Sequence, residues 1–182
     1  MSAVTIMSAG RAFTRADLDR LPDDGRRHEL LDGSLIVTPA PSPRHQRVQM
    51  RLIALLLPAV PAGLDLLAAP VDVALDGATI LQPDLLLAER ARFTDKDLPC
   101  APLLAIEILS SSTRRFDLLT KRAAYETAGC EHYWVIDPEA PSMTAWRLVD
   151  GEYADPVRAL GDEEFTVTAP LVVGFRPADL LA

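Results

Sequence analysis

Two carboxylates in apolar surroundings are the residues of this sequence whose type and position point to chemistry. Glu107 interrupts the apolar run 103–109, and Asp84 interrupts the run 80–87. Such a run is typical of a strand that is buried on both faces of a sheet. Because an unpaired charge in that setting is costly, each carboxylate needs a compensating partner. The pair therefore indicates a metal site on two neighbouring strands.

The oxygen donors available here suit a hard divalent cation. Mg²⁺ binds carboxylate oxygens, main-chain carbonyls and waters, so Asp84, Glu107 and the carbonyl of Ile108 would supply half of a coordination shell. Glu29, in an N-terminal hairpin, would add a third carboxylate if its strand lies nearby. Such an ion would lower the pKa of a bound water and neutralise charge on a phosphate. We therefore expect Mg²⁺ or Mn²⁺ as the cofactor, with Glu29, Asp84, Glu107 and Ile108 as ligands.

A lysine on the following helix is the third catalytic candidate. Asp117, Lys121 and Tyr125 lie at positions i, i+4 and i+8 of a helix predicted over 115–128, so they share one face. The helix directly follows the strand that carries Glu107, and a short connection would pack it back against the sheet. Lys121 would then orient an attacking water or stabilise a pentavalent phosphate.

Each of these residues also has a structural interpretation. Glu107 would be a hydrogen-bonded or ion-paired core carboxylate, Asp84 a turn residue, and Glu29 a solvated strand residue. Lys121 would be a surface lysine with an ion-pair partner on its own helix. For His45, near the N-terminus of an earlier helix, contact with substrate is the functional alternative, but it is interpreted as a capping or exposed residue.

The elements that position these residues can be read from turn and cap signals. Asp32-Gly33 between two apolar runs predicts a β-hairpin. Ser42-Pro43 predicts the start of a helix that continues to about Leu57. Other helices are predicted over 13–21 and from 177 onward. Residues 110–113 are predicted to cap the helix 115–128. Strands are predicted at 65–69, 71–75, 80–87, 103–109, 132–136, 143–148 and 164–168. This order predicts a mixed α/β (α+β) fold with one main sheet.

Length and composition limit the class of protein. The chain has 182 residues and 49% apolar content, which suits a single globular domain over 14–182 after a loose N-terminal segment 1–13. The apolar runs are too short for a membrane span, and no basic region precedes a long apolar one, so we expect a cytoplasmic protein. The net charge of -8 requires any nucleic-acid surface to be local.

An ordered set of motifs resembles a known family. The chain is similar to the Uma-two group of restriction-endonuclease-like proteins, within the PD-(D/E)XK nuclease superfamily, over about residues 14 to 180. The motifs are, in order, RHELLDGSLI (27–36), PSPRH (41–45), QPD (82–84), EILS (107–110), KRAAY (121–125), Gly129 and YWVIDP (133–138).

The resemblance implies a restriction-endonuclease-like core, in which a central mixed β-sheet is flanked by helices, with an N-terminal helix and β-hairpin. It also implies a role for each acidic residue. Asp84 and Glu107 would bind Mg²⁺, with Glu29 as the acidic residue of the N-terminal element. The superfamily places its lysine two residues after the glutamate, where this chain has Leu109. In this group the lysine has moved to the following helix, which makes Lys121 its counterpart.

Two functions from different classes follow. The first is a metal-dependent endonuclease that hydrolyses phosphodiester bonds of DNA. The alternative is a catalytically idle nucleic-acid or protein binding module that retains a nuclease-like metal pocket, which the displaced lysine and the acidic charge favour. In either case we expect a homodimer, because restriction-type nucleases often pair to cut two strands.

Overall fold

The computed structural model of the protein describes residues 5–7, 11–22, 24–111 and 114–181. Within these residues the α-helices are α1 (Arg15–Leu18), α2 (Pro43–Leu56) and α3 (Arg122–Thr127), and a π-helical segment (Phe116–Lys121) leads directly into α3. Short 3₁₀ turns lie at Leu57–Ala59, Arg90–Arg92 and Pro177–Leu180. The strands are β1 (Thr5–Met7), β2 (Arg27–Leu31), β3 (Ser34–Thr38), β4 (Leu64–Ala68), β5 (Asp72–Ala74), β6 (Ile80–Leu81), β7 (Leu85–Glu89), β8 (Asp97–Leu98), β9 (Leu104–Ile108), β10 (His132–Asp137), β11 (Ser142–Val149), β12 (Glu152–Tyr153), β13 (Val157–Leu160), β14 (Phe165–Val167) and β15 (Val173–Phe175).

Two mixed sheets form the body of the protein, where the sequence predicted one main sheet. The larger has the order β12-β11-β10-β9-β7-β4, with β13 also paired to β11. In it, β9 and β10 are parallel and the other neighbours are antiparallel. The smaller sheet has the order β1-β3-β2-β6-β5-β8. The Asp32-Gly33 hairpin between β2 and β3 is confirmed, and both turn residues have positive φ, as this turn requires.

Helix α2 covers one face of the larger sheet. Ser42 caps it by accepting a hydrogen bond from the backbone N–H of His45, and Pro43 occupies its first turn, as the sequence predicted. Val48, Leu52 and Leu56 form its buried stripe against Leu85, Leu87, Leu104, Ile106 and Ile108 of the sheet. This packing fixes the helix against the strand that carries Glu107.

The predicted strand 80–87 is wrong as a single element. The chain forms β6 in the smaller sheet, leaves it at Gln82-Pro83-Asp84, and re-enters the larger sheet as β7. Pro83 has no N–H for a ladder hydrogen bond, which suits it to such a crossing point. Asp84 therefore lies where the two sheets meet.

The predicted helix 115–128 is present but not uniformly α-helical. Phe116–Lys121 is π-helical, and the α-helix Arg122–Thr127 follows it before Gly129. Of residues 110–113, which we expected to cap this helix, 112 and 113 lie outside the described residues. Single-turn π-helical segments occur frequently at functional sites.

The N-terminal segment has one described element. Thr5–Met7, within the segment 1–13 that we expected to be loose, pairs antiparallel with β3 at the edge of the smaller sheet. The domain boundary itself stays a prediction. Across the described ranges, no helix combines the length and apolar character that crossing a membrane requires.

Candidate active site

Buried charged side chains meet in one pocket between the two sheets. The pocket has a volume of about 300 Å³ and is lined by Glu29, Asp84, Glu107, Asp117 and Lys121, among others. Each of these five residues is at most 3% exposed. The pocket therefore brings together every side chain that the sequence identified as catalytic or metal-binding, and the backbone of Ile108 also lines it.

Strand alternation explains why two of the carboxylates face each other. On β9, Leu104, Ile106 and Ile108 pack towards α2, so Glu107 points to the opposite face. On β2, Leu31 packs against that opposite face of the larger sheet, and Glu29 shares its side because side chains two residues apart point the same way. The two glutamates thus project into the same space between the sheets.

Lys121 is the counter-ion of both glutamates. Its Nζ lies 2.8 Å from Oε1 of Glu29 and 3.0 Å from Oε1 of Glu107. Asp117, one turn earlier, has Oδ1 3.8 Å from the same nitrogen. The interpretation of Lys121 as a surface lysine is therefore wrong: its ammonium is enclosed by acidic groups.

Asp84 is held by a different set of donors. Its Oδ2 accepts hydrogen bonds from the backbone N–H of Ile108 (2.8 Å) and from Nε2 of His45 (2.9 Å). Its Oδ1 accepts one from Nη2 of Arg27 (2.8 Å). The side-chain amide of Gln49 donates to the main-chain carbonyl of Asp84 at 2.7 Å. Asp84 is therefore more than a turn residue, because its carboxylate is a buried hub of hydrogen bonds.

The pocket shifts the pKa values of Asp84 and Glu107 in opposite directions. Burial raises the pKa of Asp84, but the charge of Arg27 and the hydrogen bond of His45 outweigh it and leave the pKa below its ordinary value. Burial also raises the pKa of Glu107, and there the attraction of Lys121 only partly offsets it, so the pKa stays well above the ordinary value. Asp84 thus remains ionised at pH values at which Glu107 more readily keeps a proton.

Lys121 keeps its proton. Burial lowers its pKa, but the charges of Glu107, Glu29 and Asp117 outweigh burial and raise the pKa above the ordinary value for lysine. The residue is therefore an ammonium donor at neutral pH. It has no free electron pair with which to accept a proton from water.

The charge balance of the pocket suits a divalent cation. Five carboxyl groups, with Glu139 as the fifth, line the pocket together with three permanent cations, Arg27, Arg44 and Lys121. This leaves a formal excess of two negative charges when every carboxyl is ionised and histidine is counted as neutral. In addition, Oε2 of Glu29 is buried and lacks a hydrogen-bond partner among the residues that the structure describes. An unpaired buried carboxylate oxygen is costly, and a cation or a bound water would satisfy it.

The oxygen atoms of the pocket would supply only part of a metal shell. Over the described part of the chain, no three Asp, Glu, His or Cys side chains stand close enough together to enclose a metal ion. Mg²⁺ is commonly bound through one or two carboxylates, with waters and substrate phosphates completing its octahedron. The oxygen donors of Asp84, Glu107 and Ile108 fit that kind of site.

Two residues of the pocket were missed from the sequence. Arg27 precedes Glu29 by two residues on the same strand, so alternation places both on one side. His45 shares a helical face with Val48 and Leu52, at i, i+3 and i+7. His45 was interpreted as a capping or exposed residue, and that is wrong for its side chain, which is 9% exposed and bonded to Asp84.

The fold has a counterpart among solved structures. A putative nuclease belonging to DUF820 from Anabaena variabilis ATCC 29413 matches with a TM-score of 0.73 at 18% sequence identity. The match covers 93% of this chain and 97% of that chain. The protein therefore has a restriction-endonuclease-like fold, as the sequence predicted.

The family assignment rests on the sequence itself. The model of the Uma2 family, described as putative restriction endonuclease, matches residues 15–180. The chain belongs to this family. No curated protein matches the chain.

Proposed function

We propose that the protein is a metal-dependent endonuclease that hydrolyses phosphodiester bonds of DNA. One observation carries the proposal: Asp84, Glu107 and Lys121 come from three separate elements and converge in one pocket. Membership of a family described as putative restriction endonuclease and a solved relative described as a putative nuclease support a nuclease-like function.

Asp84 and Glu107 would hold Mg²⁺ or Mn²⁺, together with the main-chain carbonyl of Ile108. Glu29 would assist directly or through a water, for which its unpartnered Oε2 is available. When bound, the ion would supply Lewis-acid activation of water and neutralise charge on the phosphate. The ionised state of Asp84, maintained by Arg27 and His45, keeps one ligand ready at neutral pH.

Lys121 would act as a hydrogen-bond donor and a positive charge. Its raised pKa argues against proton abstraction, so its part is to orient the attacking water or to stabilise charge that develops on the phosphate. Because its present partners are Glu29 and Glu107, ligation of Glu107 to a cation would free one of its donors for that purpose.

Contact with DNA would be confined to the neighbourhood of the pocket. Arg44 lines the pocket but donates to the carbonyl of Pro138. Arg114 pairs with Asp137 and Glu139 beside it. Since these arginines already have partners and the chain carries a net charge of -8, binding should release few counter-ions and depend weakly on salt. Homodimerisation, which would allow two strands to be cut, belongs to the same proposal.

A cleavage assay tests this function. Supercoiled, linear and single-stranded DNA are incubated with the protein, with and without Mg²⁺ or Mn²⁺, and the products are separated on gels. Glu107→Gln should lose metal-dependent cleavage, while Asp65→Ala, which removes an exposed partner of Arg90 outside the pocket, should retain it. Cleavage that needs no metal, or that persists in Glu107→Gln, would reject the proposal.

The second candidate is a binding module with an idle pocket. It is favoured by the extent to which protein cations already neutralise the acidic groups: Lys121 contacts two glutamates and Arg27 contacts Asp84. Under this alternative, calorimetric titration would detect Mg²⁺ binding while no nucleic acid is turned over. Robust turnover of DNA would exclude it.

A further inference from the structure

Helix α2 contacts Asp84 with two side chains that are one helical turn apart. Gln49 donates to the main-chain carbonyl of Asp84, and His45 donates from Nε2 to its carboxylate. Positions i and i+4 of a helix face the same way, and the Ser42 cap with Pro43 fixes where the helix begins. Helix α2 thus positions both the carboxylate and the main chain of Asp84.

Within the described ranges of the chain, the ring of His45 has no hydrogen-bond partner besides Asp84. Its Nδ1 is buried and unpaired among the residues that the structure describes, so the ring's one bond is to Asp84. Since the acceptor is a carboxylate, Nε2 must carry the proton. Leaving Nδ1 unpaired costs free energy, and the hydrogen bond from Nε2 to one carboxylate oxygen is the ring's only compensating polar contact among the described residues.

That contact determines which electron pairs of Asp84 remain available. Each carboxylate oxygen has two lone-pair sites. His45 and the N–H of Ile108 both donate to Oδ2, so Oδ2 is fully used. Arg27 takes one site of Oδ1, which leaves one site of Oδ1 for a ligand. In this arrangement Asp84 is limited to binding a cation through one oxygen.

We infer that His45 is a positioning residue that keeps Asp84 a one-oxygen ligand and thereby favours Mg²⁺ over Ca²⁺ in this pocket. Mg²⁺ requires near-ideal octahedral geometry, whereas Ca²⁺ accepts more ligands and binds carboxylates through both oxygens. The inference rests on the proposed metal site but adds a role for a residue outside the ligand set. Removing the ring would release a lone pair of Oδ2 and admit two-oxygen ligation.

The test uses the metals alone, without DNA. Free Mn²⁺ is followed by electron paramagnetic resonance, and Mg²⁺ or Ca²⁺ is added as a competitor to obtain the ratio of their affinities. His45→Ala should shift that ratio towards Ca²⁺ by about tenfold, which corresponds to the worth of one hydrogen bond to a charged group. His45→Gln, whose amide can place a donor near the position of Nε2, should restore the wild-type ratio.

Two further variants separate this role from a general loosening of the site. His45→Asn lacks the reach to Oδ2 and should follow His45→Ala. Gln49→Ala loses only the bond to the main chain of Asp84 and should keep the wild-type ratio. An unchanged ratio in a folded His45→Ala or His45→Asn protein would overturn the inference, as would an equal shift in His45→Gln. If wild-type protein binds no Mn²⁺, the proposed metal site fails, and this inference fails with it.

Discussion

Removing Lys121 should destabilise the protein by an amount that depends on pH. The lysine is 2% exposed and lies 2.8 Å from Glu29 and 3.0 Å from Glu107. At an effective dielectric constant of about 20, each close pair is worth about 5 to 6 kcal/mol, against which burial of the charges costs several. Breaking such a pair by removing one partner typically costs about 3–5 kcal/mol, because a buried charge is left uncompensated.

Protonation of Glu107 limits this loss of stability and makes the loss depend on pH. In Lys121→Met, Glu107 can become neutral by taking a proton. For a carboxyl whose ordinary pKa is 4.5, this costs about 4 kcal/mol near pH 7.5 and about 1.4 kcal/mol near pH 5.5. The charge of Lys121 lowers the pKa of Glu107 in the wild type, so removal of Lys121 raises that pKa further. The proton bound by Glu107 then stabilises the variant relative to the wild type at low pH, and this relative gain is lost as the pH rises. We therefore expect the free energy of unfolding of Lys121→Met to be about 4 kcal/mol below that of the wild type near pH 7.5. Near pH 5.5 this deficit should fall to about 1.5 kcal/mol.

Urea unfolding of the wild type and of Lys121→Met at the two pH values measures this deficit. Lys96→Met is the matched control, because Lys96 forms an exposed pair with Asp19 and should cost less than about 1 kcal/mol at either pH. A deficit below that of the control, or one that does not shrink on acidification, would refute the reasoning. A deficit of that kind would mean that Lys121 is not the buried counter-ion of the cluster.

Two further predictions concern residues of the sheets outside the pocket. Burial, and then the charge of Arg147, lower the pKa of His132 to about 4 from 6.5, so the unfolded chain takes up a proton in this range and the folded one does not. The free energy of unfolding should therefore fall by up to about 2 kcal/mol through His132 as the pH falls from 6.5 towards 4, after allowance for solvent screening. Urea unfolding of His132→Gln should show a smaller loss over this range. An equal pH dependence of the two proteins would contradict the assignment. Gly33→Ala should cost about 2–4 kcal/mol, because φ is +72° and the new Cβ would lie 2.6 Å from Cβ of Ala12. Gly151→Ala, in an equivalent Asp-Gly turn with open space around it, should cost only about 1 kcal/mol, and equal melting temperatures for the two variants would contradict the steric argument.

The sequence was sufficient to predict the acidic core of the site. A carboxylate in a fully buried strand has few stable environments, so Glu107 and Asp84 could be identified from their apolar neighbours alone. The place of Lys121 followed from helical periodicity, although the π-helical segment that carries it leaves no mark in the sequence pattern. The exchange of sheets at Pro83 was missed because the apolar residues on both sides of Gln82-Pro83-Asp84 were assigned to one strand. A proline within such a run argues against a single central strand, because it lacks the N–H for a ladder hydrogen bond.

The two side chains that hold the carboxylate of Asp84 were harder to predict than the acidic residues. Arg27 and His45 look ordinary in sequence, because an arginine on a strand and a histidine near a helix start are usually exposed. Their role depends on the distance between β2, α2 and the start of β7, and local periodicity does not determine that distance. A rule that pairs each buried acid with a cation two residues away on a strand, or on the apolar face of a helix, would have selected both.

The most direct test of the central claim is the initial rate of plasmid nicking in Mn²⁺ by wild type and by Asp84→Asn. The substitution keeps the size of the side chain but removes its negative charge. If Asp84 binds the metal, the rate should fall by about a hundredfold or more, since the ion provides much of the stabilisation of developing charge. Near-ultraviolet circular dichroism verifies that the variant is folded. An undiminished rate in a folded Asp84→Asn protein would contradict the account, because the pocket would then not be the site of cleavage.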